Sequence, residues 1–374
     1  MSEQEIYEKF IDWLRTSFVE VPDAEELLPM IKARYTPEEA ELCTGMPFGA
    51  PFPRPSLEEL AEEKGMNPAE LAPKLDALAN KGGIFRIEDG DTIRYSLNDV
   101  FFTFMRSSYW AGSTDEDTKT ISSNMNTYFH NGFFDQWKDA HIRGLRTLPI
   151  EGTIDDMRQI LPYEEVVKVL DTHDLFCVAT CPCRHRKNVD PEWDNCKHSD
   201  KHCMHFGELA RYMLDQGMAT ELTREEARED LKKAADNGLV HGINNWQEGV
   251  DTICNCCQCC CMWLESYHKL NHKGSLDPSN YRVALTQETC AGCGLCVKRC
   301  PMDALHMEES DVVDNKTGKA AVLNVERCIG CGVCAHKCPS KSLVLERCEE
   351  TNDPPGNVME FGMRLMSEKH AAAE

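Results

Sequence analysis

Two runs of cysteine between residues 290 and 339, CAGCGLCVKRCP and CIGCGVCAHKCP, carry the chemistry most clearly written in this chain. Each reads C-x2-C-x2-C-x3-C-P, through Cys290, Cys293, Cys296 and Cys300 before Pro301, and Cys328, Cys331, Cys334 and Cys338 before Pro339. Three thiolates two residues apart can wrap one corner of an iron–sulfur cubane, because a tight loop aims successive sulfurs at neighbouring irons. The fourth cysteine opens a new segment. Gly292, Gly294, Gly330 and Gly332 allow turns that a β-carbon would obstruct, and leave amide N–H groups able to point at cluster sulfur.

This stretch resembles the bacterial two-cluster [4Fe–4S] ferredoxins, with all eight ligand positions and both prolines present over about 60 residues. In that arrangement the fourth cysteine of each run serves the other cluster. The expected ligand sets are therefore Cys290/Cys293/Cys296/Cys338 and Cys328/Cys331/Cys334/Cys300. Structural zinc is the alternative for any C-x2-C pair, but zinc needs only four ligands and gains nothing from the doubled pattern. The resemblance implies electron transfer.

Ten further cysteines lie in residues 181–261. CPCRHRK supplies Cys181 and Cys183, Cys196 and Cys203 follow, and CNCCQCCC supplies Cys254, Cys256, Cys257, Cys259, Cys260 and Cys261. Ten thiols could hold two more [4Fe–4S] clusters, or one with thiols to spare. Adjacent side chains diverge, so Cys259, Cys260 and Cys261 cannot all serve one cubane. The expected metal ligands are Cys181, Cys183, Cys196, Cys203, Cys254, Cys256, Cys257 and Cys260. Zinc is the competing metal here, because His185, His198, His202 and His205 sit among the same cysteines. Arg184, Arg186 and Lys187 either offset cluster charge or form a solvated basic loop. The order Cys181-Pro182-Cys183-Arg184, the pair Cys196 and Cys203, Phe206-Gly207, then Ile253-Cys254-Asn255-Cys256-Cys257 resembles uncharacterised multi-cluster iron–sulfur proteins of anaerobes. That resemblance implies clusters and lends no substrate.

The elements that must position these residues form an α+β chain. Helical patterns are expected over 3–18, after Pro22-Asp23, and from the Thr36 cap, followed by a linker or surface loop at 45–55. Residues 56–98 read as helix, helix and hairpin, and resemble a winged-helix domain. The aromatic-rich stretch 99–150 reads as core or partner-facing surface. In the middle, residues 205–217 and 223–238 read as two antiparallel helices that would bring the two cysteine groups together. A hairpin is expected between the ferredoxin-like runs, strand pairing between YRVALT and SLVLE, and a last helix carrying Val358, Phe361, Met363 and Leu365. The implied organisation is a helical and winged-helix-like part over 1–110, a cysteine-rich, mainly helical middle over 111–275, a two-cluster ferredoxin-like domain over 276–350, and a tail over 351–374.

The totals narrow the function. A formal charge of −23 disfavours phosphate backbones and anionic membranes. Residues 56–98 alone carry nine acidic and five basic residues, which argues against DNA contacts. No run of eighteen apolar residues predicts a membrane span, and MSEQEIYEKF shows no secretion signal. A cytoplasmic, anaerobic setting is expected from thiols kept reduced. No dinucleotide fingerprint or P-loop follows a strand. The reading is an electron-transfer iron–sulfur protein that partners a flavin- or metal-containing oxidoreductase. The alternatives are a cluster-based reductase of a disulfide or other small substrate, acting through the middle domain, and a redox-sensing regulator.

Overall fold

The computed structural model describes residues 1–49, 53–156, 160–193 and 196–373. Residues 50–52 of the expected 45–55 loop, and 157–159 of the lead-in to Pro162, lie outside the described residues. The chain forms two compact units, each assembled from separate stretches of sequence: Met1–Gln136, Cys177–Glu221 and Val358–Glu374 make the first, and Trp137–Phe176 with Leu222–Asn357 make the second.

The first unit begins with α1 (Glu3–Leu14), α2 (Leu27–Arg34) and α3 (Pro37–Cys43). Ser2 and Thr36 each close a capping box with a glutamate three residues on, so two of the orphan amides at each helix start are satisfied locally. The same device at Ser56 starts α4 (Leu57–Lys64), and Asn67 caps α5 (Pro68–Asn80). Then β1 (Ile84–Asp89) pairs antiparallel with β2 (Thr92–Leu97), from Asp89 opposite Thr92 to Ile84 opposite Leu97. After α6 (Val100–Met105) and α7 (Glu116–Tyr128), the aromatic stretch proves to be core: Phe104, Tyr109, Trp110, Tyr128, Phe129, Phe133 and Phe134 are all buried.

The second unit opens with β3 (Leu145–Leu148) and α8 (Val166–Asp171). The chain then returns to the first unit as β4 (Phe176–Ala179), α9 (Pro182–Val189), β5 (Cys203–Phe206), α10 (Gly207–Asp215) and β6 (Ala219–Leu222), its strands lying in the order β6-β4-β5. Tyr212 on α10 donates its hydroxyl to the carbonyls of Ala79 and Ile84 at 3.1 and 3.0 Å, which fastens this stretch to the start of the hairpin. In the second unit follow α11 (Arg224–Asp236), β7 (Val240–Asn244), β8 (Thr252–Cys256), α12 (Met262–Lys269) and β9 (Leu276–Asp277). Here the order is β8-β7-β3-β9, with β7 antiparallel to both β8 and β3, and β9 parallel to β3.

Short strands stand among the helices of the middle. The two helices form as α10 and α11, with β6 between them. The strands are four or five residues long, and a buried apolar run that short has no period to distinguish it from part of a helix.

The remaining second-unit elements are β10 (Tyr281–Leu285), α13 (Leu295–Arg299), β11 (Leu305–Glu309), β12 (Lys319–Leu323), α14 (Val333–His336) and β13 (Leu343–Arg347). β10 pairs antiparallel with β13 and β11 with β12, as the sequence predicts. Arg299 at the end of α13 donates to the carbonyls of Val333, Asp236 and Ala235, so one guanidinium joins α14 to the C-terminal end of α11. The last helix, α15 (Val358–Ala373), belongs to the first unit; Phe361 and Leu365 are buried, while Val358 and Met363 are exposed. None of the described helices is long and apolar enough to cross a membrane.

Candidate metal centres

The two ferredoxin-like loops are built alike. Gly292 and Gly294, and Gly330 and Gly332, all have φ between 65 and 77°, and the second glycine of each pair leads directly into α13 or α14. Cys296 and Cys334 therefore sit on the first turn of their helices. Cys300 caps the end of α13, and Cys338 follows α14. The chain reversal beyond each helix carries the fourth cysteine away from its own loop.

Two recesses result. One is lined by Cys290, Cys293, Cys296 and Cys338, together with Leu295, Met307 and Leu343; the other by Cys300, Cys328, Cys331 and Cys334, with Val283, Met302 and Leu305. Each encloses about 300 Å³ of non-atom space, part of it open to solvent. Four thiols around a largely apolar hollow fit a [4Fe–4S] cluster. Ala304 already aims its N–H at the Cys300 sulfur, at 3.2 Å. The recesses differ in exposure. Cys328, Cys331 and Cys334 are all buried, whereas Cys293 is exposed.

Burial pushes the Cys331 thiol up to about 12 and the Cys296 thiol up to about 11, with neighbouring thiols adding to the shift. Cys338 goes the other way. Burial raises it, but the Ser342 and Ser340 hydroxyls and the backbone N–H groups of Ser342 and Leu343 leave it below the usual thiol range. A thiol held protonated by burial binds metal only by releasing that proton, so the metal must supply the compensating charge.

In the first unit, Cys181 caps α9 and its thiol contacts that of Cys183; this contact and burial hold Cys181 well above the usual range. The Cys203 sulfur lies 3.2 Å from Nε2 of His205, whose ring is kept neutral by burial and by the charge of Arg106. His185 donates Nε2–H to the carbonyl of Ser113 at 2.6 Å, which leaves that nitrogen no lone pair for a metal. Cys196 is half-buried, and its amide donates to Asn188. CPCRHRK is a helix, so the solvated basic loop is not observed. Arg184, Arg186 and Lys187 are at most 3% exposed; Arg186 stacks on Phe129 and Lys187 on Trp193. Tertiary packing buries the aliphatic stems and supplies the aromatic faces, neither of which the local charge pattern signals.

In the second unit, Cys254 and Cys256 lie on β8, and Cys261 caps α12. The Cys261 amide donates to the carbonyl of Cys257 at 3.1 Å, closing a one-turn bend that sorts the thiols. Cys256 contacts Cys254 and lies 3.2 Å from Cys261, while Cys257, Cys259 and Cys260 lie within 4.8 Å of one another. The run thus splits Cys254 and Cys256 from Cys257 and Cys260. It also brings in Cys259 and Cys261, which spacing alone left out. Among the described residues, which include all 21 cysteines, there is no disulfide.

Asn255, between the two β8 cysteines, accepts from Nδ1–H of His241 at 2.7 Å. Burial lowers the pKa of His241 to about 4, against the opposing effect of the Asn255 bond. Below pH 6.5 the unfolded chain takes up a proton that the folded chain refuses, so stability falls with pH until about 4. Between pH 6.5 and 5 the expected loss is about 2 kcal/mol. Urea unfolding should show this slope in the wild type and a flatter one in His241→Gln.

No curated protein and no solved structure matches the chain. With the chain's many cysteines, the finding that remains points to iron–sulfur electron transfer: residues 289–342 match the family model of the 4Fe-4S dicluster domain.

Proposed function

We propose that the chain is an electron-transfer protein whose C-terminal part holds two [4Fe–4S] clusters, one on Cys290, Cys293, Cys296 and Cys338, the other on Cys328, Cys331, Cys334 and Cys300. The observation that carries this reading is the pair of four-thiol recesses, each completed by the fourth cysteine of the opposite run. The more exposed cluster, at Cys293, exchanges electrons with a partner, and the buried one relays them. Such an exchange suits a flavin- or metal-containing oxidoreductase in an anaerobic cytoplasm. The remaining middle cysteines, Cys181, Cys183, Cys196 and Cys203 in one unit and Cys254 and Cys256 in the other, are candidate ligands of a further cluster, with zinc as the alternative. The helix, helix and hairpin over 57–97 is of winged-helix type, and its acidic balance suits a docking or packing module better than a phosphate backbone.

The chain purified without oxygen should carry at least about eight iron and eight sulfide ions, and dithionite should bleach its visible absorption reversibly. Fewer than about four irons, or clusters that dithionite cannot reduce, would overturn the reading. A second reading, reduction of a disulfide by the middle domain, is favoured by the Cys256 and Cys261 thiols, 3.2 Å apart. Turnover of a disulfide substrate with a low-potential donor, abolished by Cys261→Ser, would separate it from simple electron transfer.

A further inference from the structure

Metal centres differ in how far apart they hold their thiolates. A tetrahedral ion with bonds of about 2.3 Å sets its sulfurs about 3.8 Å apart. A cubane binds each sulfur through a different iron and spreads them to roughly 6 Å. Among the described residues, no three of the ferredoxin-like cysteines bring their thiols within 4.8 Å of one another. Cys257, Cys259 and Cys260 do, with Cys259 and Cys260 at 3.6 Å. Cys257 and Cys260 are buried and Cys259 is exposed, so the group opens to solvent on one side.

We infer that Cys257, Cys259 and Cys260 form a mononuclear thiolate site for a zinc-class divalent ion. The backbone sets the site. The bend closed by the Cys261 amide on the Cys257 carbonyl gathers these three thiols and leaves Cys256 and Cys261 paired with each other. Soft thiolates select zinc over the harder divalent ions, and three of them satisfy all but one position of a tetrahedral shell. The last position falls to a ligand outside this run. Binding exchanges thiol protons for the ion, and no electron moves. Such an ion cannot be part of an electron path; it clamps the loop that presents Cys254, Cys256 and Cys261. The inference takes Cys257 and Cys260 away from the expected cluster ligands and adds Cys259.

The test is zinc, iron and sulfide per chain on the full-length protein, purified without oxygen from cells supplied with both metals, for wild type, Cys259→Ser and Cys257→Ser. About one zinc is expected in the wild type, falling several-fold in both variants, with iron and sulfide unchanged. Cobalt(II) loaded in place of zinc should give the intense visible bands of a thiolate-rich tetrahedral ion, weakened in Cys259→Ser. Unchanged iron also reports that the variants fold. Less than about 0.2 zinc in the wild type, or zinc that survives both substitutions, overturns the inference. So does a loss of about four irons with their sulfide from Cys259→Ser, which would make the group a cubane site. Failure of the electron-transfer reading would appear separately, in the iron count and in reducibility.

Discussion

Cys338→Ala should cost the protein the cluster shared with Cys290, Cys293 and Cys296, and leave the other intact. Iron assigned to the C-terminal part should fall from about eight to about four per chain. The reason is the crossing of the chain: Cys338 lines the recess of the first cysteine run, although it closes the second in sequence. Double variants make the crossing visible. Cys293→Ala combined with Cys338→Ala removes two ligands of one cluster and should still leave about four irons. Cys331→Ala combined with Cys338→Ala should remove both clusters. In the reduced protein, the magnetic coupling between two neighbouring clusters should collapse to the signal of one in the single variant. If instead the Cys331 and Cys338 pair behaves as one cluster and the Cys293 and Cys338 pair as two, each run binds its own iron and the crossed assignment is wrong.

Gly330→Ala should be the most damaging single methyl in the cluster region. With φ at +67°, any side chain there costs about 1–2 kcal/mol. A β-carbon would also press into the carbonyl oxygen of Tyr281 and the hydroxyl of Ser279. Neither can move aside cheaply. Tyr281 is buried and begins β10, while the Ser279 hydroxyl is held in place by donating to the Gly330 carbonyl at 2.8 Å. Overpacking adds about 1–3 kcal/mol, for a total of about 2–5 kcal/mol. Gly294→Ala is the control: its φ is +66°, but the nearest atom to a β-carbon is Cγ of Met307 at 4.0 Å, so only the backbone cost of about 1–2 kcal/mol remains. Denaturant unfolding of the cluster-loaded forms should rank wild type, Gly294→Ala and Gly330→Ala in that order. Equal losses would show that the Ser279–Tyr281 wall yields.

The features legible in the sequence share a short range. The capping boxes at Thr36, Ser56 and Thr223 each join residues three apart, and all three helices begin where those residues indicate. The hairpin at Asp89-Gly90 and the one between the ferredoxin-like runs are likewise local. The pairing of β10 with β13 is the long-range exception, and it was readable because the cysteine pattern fixes what lies between them. The middle resisted the same reading. Its strands are too short to show a period, and the charges of CPCRHRK, which suit a cluster as well as a solvated loop, reveal nothing of the aromatic rings that cover them.

By itself, the sequence determined the metal chemistry of the C-terminal part, since eight thiols at those spacings suit two cubanes and little else. Tertiary structure decided how the remaining thiols divide. Cys256, Cys257, Cys259, Cys260 and Cys261 are near neighbours in sequence, and their order gives no direction to any sulfur. The end of β8, the bend from Cys257 to Cys261 and the start of α12 supply that direction, setting Cys256 against Cys261 and gathering the other three. Spacing along the chain limits which thiols can meet; the backbone path through space selects which ones do.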